Sequence, residues 1–249
     1  MTGRLKIYKF KGCSFEQPLA IESDFMEIIA FKYGETKLSE SMVVKNGDKN
    51  KFYDIALLYF LIRLNGRNIL IDVGCDNMPG FVVRNFIKPY ELLKEYGISY
   101  NDITDVIITH AHHDHIHAVK YYKNAIIHIQ KQEYENGKSY IPDNFKVETF
   151  DDFTEIENCL DVIKIGGHSE GSCIVKLNFK DNKYLFVGDE CYDRICFEKE
   201  IPSGATFSLD NNIKFIKEYK NSEYKKIFFH ENNFLLGKYG WNKIDITPN

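Results

Sequence analysis

No Cys-x-x-Cys pair occurs among the six cysteines, Cys13, Cys75, Cys159, Cys173, Cys191 and Cys196. That absence excludes the usual spacing of a cysteine zinc site or a dithiol redox centre and leaves the pattern of reduced intracellular thiols. No apolar run approaches the roughly 18 residues that a membrane span needs. The first residues, Met1 to Lys6, lack the apolar core of a signal peptide. The expectation is a cytoplasmic protein without membrane association. Positive charge is not in surplus either: 32 basic residues face 36 acidic ones, a formal charge of −4, so no broad basic surface points to nucleic acid. No Pro-, Gly- or Ser-rich linker divides the chain, and its 249 residues are expected to form one domain over 1–249 with a substantial core. Tryptophan is limited to Trp241, whereas Tyr and Phe are plentiful at 16 and 19.

What the sequence does have is concentrated between Thr109 and His117, Thr-His-Ala-His-His-Asp-His-Ile-His, directly after the apolar run Val106-Ile107-Ile108. Imidazole and carboxylate are the donors that borderline divalent metals prefer, zinc most often. The tract is neither terminal nor repetitive, unlike an adventitious His-rich segment. His110 and His112, two apart on an extended or turning backbone, can point to one side. Asp114 and His115 follow on the next turn and can serve a second position nearby. One ion needs three or four protein ligands, so the tract must recruit distant residues or form half of a two-metal site.

Around it the pattern is of strands and helices in alternation, an α/β signature. Leu5 to Phe10 alternates apolar and basic residues as a half-buried strand would. The stretch from Phe15 to Asn50 reads as irregular, with Phe25 to Phe31 a strand or short helix, and is expected to shape a substrate pocket or a dimer contact. Ile55–Leu64 and Asn68–Val73 read as strands joined by an Asn65-Gly66 hairpin turn. Asp72, at the end of the second, either starts a turn with Gly74 or orients a metal-bound histidine. A helix is predicted over Asn85–Tyr96, stopped by Gly97. Asp105–Ile108 is a buried strand delivering the histidines. A helix follows over His115–Tyr122, then a strand over Ala125–Ile129 and a helix over Lys131–Gly137. In the second half, Val162–Ile165 runs into Gly166-Gly167-His168-Ser169-Glu170-Gly171-Ser172. Cys173–Leu177 and Tyr184–Val187 form a hairpin ending at Gly188-Asp189-Glu190-Cys191-Tyr192, Asn211–Tyr219 is helical, and Lys226–Phe229 delivers His230. Apolar strands ending in candidate ligands, from two halves of a chain, converge at one edge of a sheet sandwich.

The order His-x-His-x-Asp-His, Gly-His-Ser-x-Gly-Ser, Gly-Asp and a late histidine resembles the metallo-β-lactamase-fold hydrolases. The resemblance runs from Ile69 to His230 and includes all seven metal-ligand positions. It implies a four-layer αββα sandwich of mixed α/β (α+β) class with the metals at one edge. By position, His110, His112 and His168 would hold one ion, Asp114, His115 and His230 a second, and Asp189 would bridge them. It implies two divalent metal ions, zinc first, with iron or manganese also accepted, and a metal-bridging hydroxide as nucleophile. Asp114 would also move a proton. Tyr192, three residues after Asp189, matches the spacing in N-acyl-homoserine lactonases, where the hydroxyl resembles an oxyanion donor. The alternative, a packing residue in so Tyr-rich a chain, is the lesser reading of Tyr192.

Diagnostic positions narrow the choice. Relatives that hydrolyse β-lactams carry cysteine where Asp189 stands. Diiron oxygen reductases carry an acid at His112, and nuclease relatives insert a further domain. The sequence departs from the lactonase pattern at His117, where glycine is common, at Glu170 and Ser172, which replace Pro and His, and at Phe229. His117 reads as a helix-surface residue, His113 as facing away from the ligands, His128 as structural and Cys191 as packed. The expected function is hydrolysis of a small-molecule lactone or related carboxylic ester, with acyl-homoserine lactone as candidate and a homodimer as the assembly that the resemblance implies. A thioester hydrolase resembling glyoxalase II ranks second, because the 19 residues after His230 are too few for its helical domain. A mononuclear-iron oxidoreductase of the same fold is third, since it would need only His110, His168 and Asp189. A non-catalytic sensor is disfavoured because no ligand position is lost.

Overall fold

The computed structural model describes residues 25–231 and 238–244. Twelve strands and six α-helices are present among them. The strands are β1 (Met26–Ser39), β2 (Phe52–Leu64), β3 (Arg67–Ile71), β4 (Asp105–Ile108), β5 (Ile126–Gln130), β6 (Lys146–Phe150), β7 (Phe153–Ile156), β8 (Leu160–Lys164), β9 (Cys173–Phe179), β10 (Asn182–Phe186), β11 (Lys225–Ile227) and β12 (Gly240–Lys243). The helices are α1 (Glu40–Val43), α2 (Pro89–Tyr96), α3 (His113–Ile116), α4 (Lys131–Gly137), α5 (Ile195–Lys199) and α6 (Leu209–Tyr219). They build a seven-stranded sheet, β12-β1-β2-β3-β4-β5-β6, and a five-stranded sheet, β11-β10-β9-β8-β7.

Strand alternation sorts the apolar side chains into two layers of core. Ile69 and Ile71 of β3 meet Tyr184 and Phe186 of β10 between the sheets. Leu70 and Leu185, one residue out of phase, join an outer cluster with Leu92 and Leu93 of α2 and Phe215 and Ile216 of α6. Each such side chain contributes roughly 2 kcal/mol on leaving water. Sheets covered on both faces in this way form the expected αββα sandwich.

Chain direction then decides where the functional residues fall. Strands β3 to β6 run parallel. In the other sheet β10 is parallel to β11, and β9 is antiparallel to both β8 and β10, so β8, β10 and β11 share a direction. The carboxyl ends of each parallel set therefore open on a single edge. Asp72 and Thr109-His110 follow β3 and β4, whereas His168, Asp189 and His230 follow β8, β10 and β11. The two edges are tied together where Cys173 N donates to Thr109 O at 2.9 Å.

Most predicted elements are present, with several corrections. The segment read as irregular over 15–50 contains β1, the longest strand, and α1. Period-2 alternation is absent from β1 because both its faces are buried, and two of its charges, Lys32 and Glu35, are buried as an ion pair at 2.8 Å. Helix α2 begins at Pro89 instead of Asn85, since Asn85 has φ +49° and Pro89 occupies the first turn. Gly97 ends it in the left-handed conformation at φ 99°, as predicted. The helix expected over His115–Tyr122 is α3 followed by a 3-10 turn over His117–Tyr121. Strands β6, β7 and β12 have no counterpart in the sequence reading. Leu5–Phe10 lies outside the described residues. No described helix is long and apolar enough to cross a membrane.

Candidate metal centre

Strand β4 ends fully buried, so the chain leaves it with Thr109 and His110 pointing into the edge between the sheets. His112 stays extended (φ −69°, ψ 149°) and starts α3. Its carbonyl accepts from His115 N at 2.9 Å, and this single turn carries Asp114 and His115 round to a second position. His168 sits in a loop held by Glu190, whose Oε1 accepts from the backbone N–H of Gly167 and His168 and from Ser172 Oγ at 2.5 Å. A Cβ at position 167 would collide with that carboxylate, which is why the loop needs glycine there.

The seven residues form two adjoining groups, His110, His112, His168 and Asp189, and Asp114, His115 and His230. Asp189 faces both. Its Oδ2 lies 3.7 Å from His110 Nε2 and 3.5 Å from His168 Nε2, whereas its Oδ1 lies 3.3 Å from His115 Nε2 and 3.0 Å from His230 Nε2. Asp114 Oδ2 stands 3.7 Å from His115 Nε2 on the far side.

The imidazoles are aimed from behind. Nδ1 of His168 meets Ala205 O at 2.8 Å, Nδ1 of His230 meets Ala56 O at 2.9 Å, and Nδ1 of His115 meets Asp72 Oδ2 at 2.7 Å. Thr109 Oγ1 donates to the same Asp72 oxygen and so accepts from His110 Nδ1 at 3.1 Å. These bonds occupy Nδ1 of four rings and leave their Nε2 atoms turned to the centre. Asp72 is thus the orienting carboxylate, and the turn-starting alternative is incomplete, although its φ of +56° also serves the turn.

The converging ring nitrogens test whether a cation fits. His112 Nδ1 lies 3.0 Å from His110 Nε2 and 2.9 Å from His168 Nε2. A neutral His112 can donate to only one of them, leaving lone pair against lone pair. His115 Nε2 is buried and, although 3.3 Å from Asp189 Oδ1, makes no well-aligned hydrogen bond among the described residues. Both defects are relieved by cations among these nitrogens, so the donor set fits a divalent-metal site.

Charge agrees with geometry. Burial holds His110 and His112 below the usual imidazole range, with the neighbouring histidines adding to it, so both are neutral donors. Burial opposes charge on His115 and His230 as well, but Asp189 outweighs it and raises both. Asp189 is itself held well below the usual range, since His115 and His230 overcome its burial. Four buried carboxylates, Asp72, Glu133, Asp189 and Glu190, surround the centre. None has a Lys or Arg at ion-pair distance among the described residues. Burial pushes Asp72 and Glu190 up toward neutrality, a tendency that nearby cations would reverse.

Tyr192 is buried beside the centre, its ring stacked on His230 at 5.0 Å between centroids. Burial first, then the charges of Asp189 and Asp114, keep its hydroxyl protonated. Together with Leu38, Met42, Ile55, Met78 and Phe81 it lines a cleft of about 230 Å³ over the ligands. Leu38 and Met42 place part of the 15–50 stretch at the pocket, as expected for it. The remaining histidines stay out. His113 bonds Asn77 O at 2.8 Å, and His117 accepts from Asp76 N at 3.2 Å. His128 pairs with Asp105 at 2.9 Å. Cys191 is fully buried. Sequence reasoning missed Glu133 and Glu190. Glu133 accepts from Ala111 N, Ser169 Oγ and Gly171 N at 2.8, 2.6 and 2.8 Å, clipping the two ligand loops together. The available signal was the Asp-Glu pair after Gly188 and a glutamate in the first turn of α4.

A family model described as the metallo-beta-lactamase superfamily matches residues 57–229. A probable metallo-hydrolase of Methanocaldococcus jannaschii is 33% identical over 121 residues, 49% of this chain; the match spans only half the length of that relative. The N-acyl homoserine lactonase AiiB of Agrobacterium fabrum is 20% identical over 256 aligned positions, covering 82% of this chain and 92% of the relative. Among solved structures, an N-acyl homoserine lactone hydrolase with N-hexanoyl-L-homoserine bound at its catalytic metal centre superposes with a TM-score of 0.74. It is 20% identical and covers 86% of this chain and 98% of that one.

Proposed function

We propose that this chain, which belongs to the metallo-beta-lactamase superfamily, is a dinuclear metal-dependent hydrolase that opens a lactone or cleaves a related carboxylic ester. The observation that carries the reading is the Asp189 carboxylate, with one oxygen turned to each of two histidine groups. Zinc is the first choice for such donors, with iron or manganese as substitutes. The lactonase relatives support the substrate class, with acyl-homoserine lactone as the named candidate.

Two bound divalent cations would lower the pKa of water and polarise the substrate carbonyl. The chain's own residues do the rest. The Tyr192 hydroxyl, kept protonated, is a donor for the oxyanion that develops as the carbonyl is attacked. Asp114, partly open to the cleft, is placed to carry a proton toward the departing alkoxide. Leu38, Met42, Ile55 and Phe81 give an ester an apolar seat.

The test is metal content per chain, measured alongside hydrolysis of an acyl-homoserine lactone, an aryl ester and a glutathione thioester. Two metals with lactone or ester turnover are expected. Asp189→Asn should lose both ions and activity together, because it weakens both groups. One metal, or full activity in that variant, defeats the dinuclear reading.

A further inference from the structure

A second cavity adjoins the metal cleft. Ile55, Tyr192 and His230 line both, so the two spaces adjoin at the tyrosine ring. Val43, Val44 and Ile195 complete the apolar body of this second chamber, and its volume is about 180 Å³. Its wall is built, not draped. Lys45 N bonds Pro202 O at 2.8 Å, and Ala205 N bonds Met42 O at 3.0 Å. The Val43-Val44 turn is thereby fastened to the loop whose Ala205 carbonyl holds His168. Wall and metal ligand share one support, which fixes the chamber relative to the centre.

We propose that this chamber is a substrate subsite whose volume limits the group on one side of the scissile carbonyl–oxygen bond. A cavity of about 150 Å³ holds a benzene ring, so this one takes a group of about seven non-hydrogen atoms. Its polar lining comprises the carboxylates of Asp54, Asp193 and Glu231 with Tyr53, Tyr192 and His230, and no lysine or arginine. Asp54 and Glu231 are neutralised from outside by Arg84 and Arg194, each at 2.5 Å. A neutral substituent is accommodated, whereas an anionic one faces three carboxylates. The subsite rests on the ester-hydrolase reading above and narrows it to substrates that are compact and uncharged on the Tyr192 side.

The experiment compares wild type with Ile195→Phe, which shrinks the chamber, and Ile195→Ala, which enlarges it. Two ester series are used: phenyl esters from acetate to decanoate, and acetate esters from methyl to naphthyl. The quotient of variant to wild-type kcat/KM cancels the intrinsic reactivity of each ester. In one of the two series the quotient should fall about tenfold or more with size for Ile195→Phe and rise for Ile195→Ala, the scale expected for a methylene or two in an apolar pocket. A quotient flat with size in both series, for both variants, overturns the subsite and leaves the hydrolase reading standing. A wild-type enzyme that carries two metals yet cleaves no member of either series overturns both.

Discussion

Oδ2 of Asp72 lies 2.7 Å from Nδ1 of His115 and also accepts from Thr109 Oγ1, which in turn fixes His110. One buried carboxylate therefore orients a donor in each of the two groups. Removing its charge should loosen both. Asp72→Asn is expected to weaken metal binding about 10- to 100-fold, the usual effect of disturbing a group behind a ligand. Competition with a chromogenic chelator measures it. Unchanged affinity with a lowered Tm would reduce Asp72 to a turn residue.

The histidine tract, His168, Asp189 and His230, which the structure brings together, were legible because candidate metal donors are few residue types and here stand after apolar strands. Glu133 and Glu190 were not legible, because a carboxylate that accepts from backbone N–H groups is chosen by tertiary position alone. β1 was obscured for a related reason. With both faces buried it shows no alternation, and the Lys32–Glu35 pair gives it surface-like charges inside the core. β12 escaped because Trp241, Asn242 and Lys243 are all exposed on an edge strand.

Tyr192→Phe separates packing from chemistry. The ring and its stacking on His230 remain, and only the hydroxyl is lost. If that hydroxyl faces the developing oxyanion, kcat should fall about 100-fold with metal content unchanged, as for a single oxyanion donor elsewhere. Steady-state kinetics with metal analysis checks this, and a fully active variant assigns Tyr192 to packing.

Far from the centre, Asp105 predicts an acid limit to stability. Its carboxyl is buried, which alone would raise its pKa, but hydrogen bonds from His128, Arg67 and Thr104 lower it from 3.8 to about 2. A depressed folded pKa means that the stabilisation is fully present above the unfolded value and disappears as pH falls through the folded one. The contribution is about 2 kcal/mol, lost between about pH 4 and pH 2. Urea midpoints across that range should slope in the wild type and flatten in Asp105→Asn. An identical slope in both would place the acid sensitivity elsewhere.

Glu133 joins loops from opposite sheets, accepting from Ala111 N beside His110 and His112 and from Gly171 N beyond His168. Those three histidines make up one metal group with Asp189, so the clip fixes the spacing of that group while touching none of Asp114, His115 and His230. Glu133→Ala strands two backbone N–H groups in the interior, a loss of about 2 kcal/mol or more in stability. If the centre holds two ions, the same change should weaken one affinity much more than the other, giving a chelator titration more strongly biphasic than that of the wild type. Glu133→Gln keeps an acceptor oxygen and should recover much of the stability. Equal weakening at both sites would mean that the two groups are too tightly joined through Asp189 to respond separately, and the clip would then be a support for the whole centre.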